Sequence, residues 1–138
     1  MNIFLDANIL VSVLNKEYPL FTYSSRILSL ADNKKFKVYT SPIALAIAFY
    51  FSEKKSGTAA AKKKMELLAS KLLVADCTSA EVRLAAGNKH VKDFEDGLEY
   101  YAALRAGCKC IITEDVHDFY FSKIEVLSST SFLEKYVM

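Results

Sequence analysis

Residues 93–113 read DFEDGLEYYAALRAGCKCIIT. Acids crowd the opening turn, and Phe94, Leu98, Tyr101 and Ala102 recur at helical spacing as the expected inner face. This pattern predicts a helix over 93–106, closed by Gly107 as its C-cap. The apolar run Cys110–Thr113 then has the length and bounds of a buried strand. Working outward, the same alternation recurs. Residues 2–5 form another short apolar run, ended by Asp6, and Asp6 or Asn8 can cap a helix carrying Ile9, Leu10, Val13 and Leu14. Pro19 ends that segment, and a helix is expected from about Tyr23 to Asn33. Phe36–Thr40 reads as a strand. Ser41-Pro42 opens an apolar helix running to about Glu53, and Ser56-Gly57-Thr58 breaks the chain before a helix over 59–70. Lys71–Ala75 reads as a strand, and Thr78-Ser79-Ala80-Glu81 is a capping box starting a helix that ends near Gly87. A weaker strand, Ile124–Leu127, and a terminal helix, Phe132–Val137, complete the chain. Strands separated by helices imply an α/β layer fold with a parallel sheet. No repeat, low-complexity tract or linker divides residues 1–138, so one domain is expected.

Composition bounds the function. Eighteen Lys and Arg against 16 Asp and Glu give a net charge of +2. Nucleic-acid binding therefore cannot be argued from bulk charge, only from local patches. Cys77, Cys108 and Cys110 form no disulfide framework. With His90 and His117 they supply no zinc-ligand spacing, so a reducing, cytoplasmic setting is expected. No apolar run approaches the ~18 residues of a membrane span.

The carboxylates carry the chemistry. Ligands of open parallel sheets bind beyond the carboxyl ends of the strands. Asp6 follows the first strand directly, and Asp115 and Asp118 follow the strand Cys110–Thr113. Asp93 and Asp96 lie in the first turn of the helix feeding that strand, at the same end of the sheet, with Asp96 beside the buried stripe. Taken singly, each acid has an ordinary reading: a helix cap for Asp6, dipole complements for Asp93, Glu95 and Asp96, a turn residue for Asp118. Their joint placement at one rim points to a divalent cation, which relieves the repulsion between clustered carboxylates. Oxygen-only ligands favour magnesium or manganese over zinc. Such an ion supports phosphodiester hydrolysis.

Three stretches, Leu5-Asp6-Ala7-Asn8-Ile9-Leu10, Asp93-Phe94-Glu95-Asp96-Gly97-Leu98 with Ala102-Ala103, and Ile112-Thr113-Glu114-Asp115-Val116-His117-Asp118-Phe119, resemble a PIN domain. This is the metal-dependent ribonuclease fold of many toxin–antitoxin toxins. The resemblance spans essentially the whole chain. It implies a three-layer fold with a central parallel sheet of about five strands, and an acidic pocket binding Mg²⁺ or Mn²⁺. It also implies endonucleolytic cleavage of RNA and an antitoxin partner. Asp6, Asp96 and Asp118 carry over as metal-binding catalytic residues, and Thr113 and Asp115 as supporting groups, alongside Asn8. The pattern departs at one place. The family often carries a glutamate in the helix after the second strand, which falls near Ile47 here, and no acid lies between Ser41 and Ser52. Glu53 is ~240° around the helix and ~9 Å along it from that point. Asp93 or Glu95 is a candidate to compensate; otherwise a weakened module that binds RNA or a protein is expected.

Lys54, Lys55, Lys62, Lys63 and Lys64 read either as a solvated helix face or as partners of RNA phosphates; Lys34, Lys35 and Lys37 form a second group. The apolar helix Ile43–Phe51 exceeds what one core covers, which suggests homodimerisation. Other α/β readings fit less well. A haloacid-dehalogenase phosphatase would want an acid where Asn8 stands, a receiver domain would want paired acids after the first strand, and no Gly-rich phosphate loop is present.

Overall fold

A computed structural model describes the chain from Met1 to Met138. Its strands are β1 (Asn2–Leu5), β2 (Lys37–Thr40), β3 (Leu73–Val74), β4 (Cys110–Ile112) and β5 (Glu125–Leu127). They form one sheet in the order β3-β2-β1-β4-β5, and every pairing is parallel. The helices are α1 (Ala7–Leu14), α2 (Leu20–Ser29), α3 (Pro42–Ser56), α4 (Thr58–Lys71), α5 (Ser79–Gly87), α6 (Phe94–Arg105) and α7 (Ser129–Tyr136). Parallel strands need crossovers, and these helices supply them on both faces. The result is the three-layer α/β architecture expected from the sequence.

Strand alternation divides the core. Ile3 and Leu5 of β1 and Cys110 and Ile112 of β4 face a large cluster with Ile9, Leu10, Ile27, Ala44, Ala48, Phe132 and Leu133. Phe4 and Ile111 point the other way, into a smaller cluster with Tyr100, Ala103, Cys108 and Phe119. The two-residue side-chain period of a strand makes this split obligatory. Burial pushes the Cys108 and Cys110 thiols up to about 12, which leaves them as small core groups. No helix is long and apolar enough to cross a membrane.

The chain runs from β1 to β2 on one side of the sheet, while β4 lies on the other side of β1. The order therefore reverses between β1 and β4, and a crevice opens beyond the ends of those two strands. Their register pairs Leu5 with Ile112, so Asp6 and Thr113, the next residues, emerge side by side.

Several boundaries moved. The second helix begins at Leu20, with Pro19 at its N-cap, and closes in a 3₁₀ turn, Leu30–Asp32. α1 has already ended at Leu14, with Asn15 as its C-cap, so Pro19 serves only to open α2, where a missing N–H costs nothing. The last helix begins at Ser129, because Ser128 Oγ accepts from Ser131 N at 3.2 Å. The capping box at Thr78 and Glu81 forms as read. Gly107, at φ 72°, lies in the left-handed region that favours glycine after a helix.

The buried face of α6 differs from the expected stripe. Phe94 is 47% exposed and Tyr101 is half-buried, while Leu98, Glu99, Tyr100, Ala102 and Ala103 are buried. At about 100° per residue these five positions span one arc, and Glu99 sits at its centre. Gly97 is also buried, because α5 crosses there. A Cβ at Gly97 would meet Val91 Cγ1 at 2.6 Å and Ala85 Cβ at 3.1 Å.

Phe132 is fully buried and holds α7 onto the sheet. Phe132→Ala is expected to cost about 3–5 kcal/mol. Urea denaturation checks this through a lower midpoint with an unchanged m-value.

Candidate metal centre

Asp6 leaves β1 and immediately becomes the N-cap of α1. Its Oδ1 accepts from Ala7 N at 2.6 Å, and its backbone N–H donates to Ile112 O at 3.0 Å. The residue is only 6% exposed. Its second oxygen, Oδ2, accepts from Thr113 Oγ1 at 2.7 Å. That hydroxyl in turn accepts from Asn8 Nδ2 and from Asp115 N, both at 3.0 Å. One donor and two acceptor positions exhaust a hydroxyl, so Thr113 is fully used. Asn8 Nδ2 also donates to Asp115 Oδ2 at 3.1 Å, and Asn8 Oδ1 accepts from Glu114 N at 3.2 Å. Asn8 and Thr113 thus fasten the end of β1 to the loop after β4. The Glu114 carboxylate secures that loop from behind, through Ser129 N and Ser129 Oγ.

Asp96 arrives from α6. Asp93 is the N-cap, and its Oδ1 accepts from Asp96 N at 3.2 Å. Asp118 sits in a 3₁₀ turn, Val116–Phe119, whose buried Phe119 anchors it to the smaller cluster. Asp118 N donates to Asp115 O at 3.0 Å.

These groups converge. A pocket of about 370 Å³ is lined by Asp6, Asn8, Glu17, Glu95, Asp96, Glu99, Asp115 and Asp118, with Ala7, Val11, Ile47 and Phe51. No lysine, arginine or histidine lines it. Asp93 and Thr113 act from just behind this lining, and His117 is exposed outside it. Burial pushes Asp96 up from 3.8 to about 7, reinforced in order by Asp93, Asp6, Asp118 and Glu95. The three acids singled out in the sequence are therefore electrostatic neighbours.

Glu99 and Glu17 were not anticipated. Glu99 is 1% exposed. Its carboxyl is raised well above the ordinary range, first by burial, then by the charge of Asp6, a hydrogen bond with Asp6 and the charge of Asp96. The misplaced α6 stripe hid it, since a glutamate is an improbable centre for a buried face. Its signal was the spacing to Asp96, three residues and one turn away on the same acidic helix.

The donor set is oxygen-only, rich in charge and without a counter-cation, which suits a hard divalent ion. No three of these side chains already stand in ligating arrangement, so binding requires their carboxylates to turn inward. Glu99 Oε1 is buried with no hydrogen-bond partner, an orphaned oxygen that an ion could satisfy. The residues present fit such a group.

The basic groups have other tasks. Lys55 Nζ donates to Asn15 O, and Lys64 Nζ donates to Leu14 O at 3.2 Å, so both satisfy carbonyls at the C-terminus of α1. Lys54 Nζ lies 4.6 Å from the centre of the Tyr50 ring. Lys62 and Lys63 are exposed on α4. Arg105 pairs with Glu81 at 3.3 Å.

The sequence profile of the PIN domain matches residues 2–117. The chain belongs to the PIN domain family. It is 28% identical over 137 residues to ribonuclease VapC1 of Aquifex aeolicus (strain VF5), covering 97% of this chain and 94% of that protein. Among solved structures, it is similar to VapBC-1 of nontypeable Haemophilus influenzae, with a TM-score of 0.72 and 19% identity over 94% of this chain and 99% of that one. It is also similar to VapBC2 of Rickettsia felis, bound there to a promoter DNA fragment, with a TM-score of 0.70, 19% identity, and 93% and 98% coverage. VapC20 of Mycobacterium tuberculosis, a toxin cleaving the Sarcin-Ricin loop, gives 0.63 and 17% identity over 79% of this chain and 86% of that one. At these identities the structural likeness concerns the fold of this PIN domain.

A raised carboxyl keeps its proton in the folded chain at pH values where the unfolded chain has lost it. Between about pH 4 and pH 7 the unfolded state of Asp96 binds fewer protons, so stability falls as pH rises through that window. Glu99 acts in the same direction. In chelator, the thermal midpoint is expected to drop between pH 5 and pH 8. Asp96→Asn should flatten that drop and stabilise the metal-free protein at pH 8 by about 1–2 kcal/mol, after allowance for solvent screening.

Proposed function

We propose that this PIN domain is a divalent-metal-dependent endoribonuclease and the toxin of a toxin–antitoxin pair. The observation that carries the reading is the convergence of Asp6, Asp96 and Asp118 on one pocket free of basic groups. It is supported by a relative named as a ribonuclease over nearly the full chain. Asp6, Asp96 and Asp118 would hold Mg²⁺ or Mn²⁺. When bound, such an ion lends Lewis acidity to a phosphoryl oxygen and to water.

The chain's own groups then have separate tasks. Thr113 and Asn8 fix the rotamer of Asp6 through the 2.7 and 3.0 Å bonds, which would leave the other carboxylates to turn toward an ion held beside it. Asp93 holds the first turn of α6 and with it Asp96. Asp115 and Glu95 add negative charge at the exposed rim. Val11, Ile47 and Phe51 give the pocket an apolar wall opposite the acids. An acidic pocket repels the RNA backbone, so cations on both sides of the phosphate are needed. Lys62 and Lys63 remain free to meet neighbouring phosphates, whereas Lys54 lies over the Tyr50 ring and Lys55 and Lys64 are engaged with α1.

The antitoxin partner is supported by the VapBC complexes sharing this fold. A homodimer is supported by α3. Its buried positions are the small residues Ala44, Ala48 and Ser52, which leaves Tyr50 and Phe51 51% and 45% exposed.

The alternative, a module that binds RNA or a protein without cutting, is favoured by one observation: Ile47 stands on the pocket wall where an acid would strengthen the site. The test is cleavage of structured and single-stranded RNA with Mn²⁺. The wild type is expected to cut, and Asp6→Asn and Asp118→Asn to lower kcat on the order of 100-fold or more at unchanged fold. A wild type indistinguishable from Asp6→Asn would sink the nuclease reading. Thr113→Val is expected to weaken Mn²⁺ binding by about 10–100-fold, measured calorimetrically, because Asp6 loses its orienting donor.

A further inference from the structure

Glu99 lies at the floor of the pocket, 1% exposed, at the centre of the buried face of α6. A core position normally takes an apolar side chain, and an acid there is kept only when something answers its charge. No lysine or arginine does so: Glu99 forms no salt bridge, and Oε1 has no hydrogen-bond partner. The groups acting on its carboxyl are the Asp6 carboxylate, the Ala7 N–H and Asp96, and all three residues line the same pocket as Glu99. Two of those three are acids already assigned to the metal. The side chain is therefore buried, has one oxygen without a partner, and lines the pocket that Asp6 and Asp96 border.

The opposite wall completes the case. From α3 the pocket receives only Ile47 and Phe51, so that wall offers the ion no oxygen. Asp96 and Glu99, three residues apart, are one turn apart on α6 and reach the same space from one helix.

We propose that Glu99 is the fourth carboxylate of the metal site, joining Asp6, Asp96 and Asp118 around the ion from within α6. The proposal rests on the metal-site reading above and names the residue that completes it. It gives the buried oxygen its partner and explains how a pocket with an apolar α3 wall holds a divalent ion. A structural carboxyl, protonated and bonded to Asp6, would instead contribute to the fold alone.

Calorimetric titration with Mn²⁺, paired with thermal melting in chelator, separates these roles in the wild type, Asp118→Asn and Glu99→Gln. Glutamine keeps the size and a donor for Asp6 but removes the charge. The expected result is Mn²⁺ binding by the wild type, a loss in Asp118→Asn, and at least tenfold weaker binding in Glu99→Gln, whose metal-free melting temperature stays equal or rises. Unchanged Mn²⁺ affinity in Glu99→Gln beside a loss in Asp118→Asn overturns the Glu99 assignment alone. A wild type that binds no Mn²⁺ overturns the metal-site reading and Glu99's place in it together. Should Glu99→Gln fail to fold, Glu99→Asp, which withdraws the charge by one methylene, is read the same way: weakened binding supports the assignment, and unchanged binding overturns it.

Discussion

The hydrogen bond from Thr113 Oγ1 to Asp6 Oδ2 joins the ends of the two central strands, and the site is arranged around it. It exists because the β1–β4 register pairs Leu5 with Ile112, which delivers the next residue of each strand to the same point. Thr113 is fully buried and its hydroxyl is saturated, so the bond has no room to exchange with water. A buried carboxylate with both oxygens held is an oriented one. Asn8 then extends the network to Asp115, and Glu114 ties the same loop to α7.

The electrostatic problem of the pocket is met partly by the fold. Asp6 caps α1 and Asp96 lies in the first turn of α6, so both acids sit where backbone N–H groups and helix dipoles favour negative charge. That offset is worth about 1 kcal/mol per helix end, too little for the carboxylates gathered there. Asp96 shows the remainder, raised to about 7 by burial and by its acidic neighbours. Unbalanced acids concentrated at the switch point of the sheet are what a cation would relieve, which is the physical basis of the proposed metal site. The lysines do not relieve the imbalance, since Lys55 and Lys64 are spent on the carbonyl end of α1.

Packing explains why α3 contributes no acid and still shapes the site. α3 meets its neighbours through Ala44, Ala48 and Ser52, small residues that let the helix lie close and bring Ile47 and Phe51 to the pocket wall. α6 does the reverse, spending the centre of its buried face on Glu99. Gly97 allows α5 to cross α6 closely beside Asp96.

Local signals decided much of this protein. Short apolar runs, the Thr78 capping box, Gly107 and the strand-end positions of Asp6 and Asp118 are properties of a few adjacent residues, so the α/β class and the convergence of three acids were readable from the chain. Boundaries set by single side chains, such as Ser128 at α7 or Pro19 at α2, blurred by a few residues because capping competes with nearby alternatives. Tertiary structure alone decided the rotation of α6. The choice between a stripe through Phe94 and Tyr101 and one through Glu99 depends on which neighbours surround the helix, α5 on one side and the sheet on the other, and not on its own periodicity. That rotation carried Glu99 inward to the Asp6 carboxylate and turned Phe94 out to solvent. Tertiary structure also decided that Lys55 and Lys64 meet α1, because the carbonyls they bind are about 40 and 50 residues away along the chain.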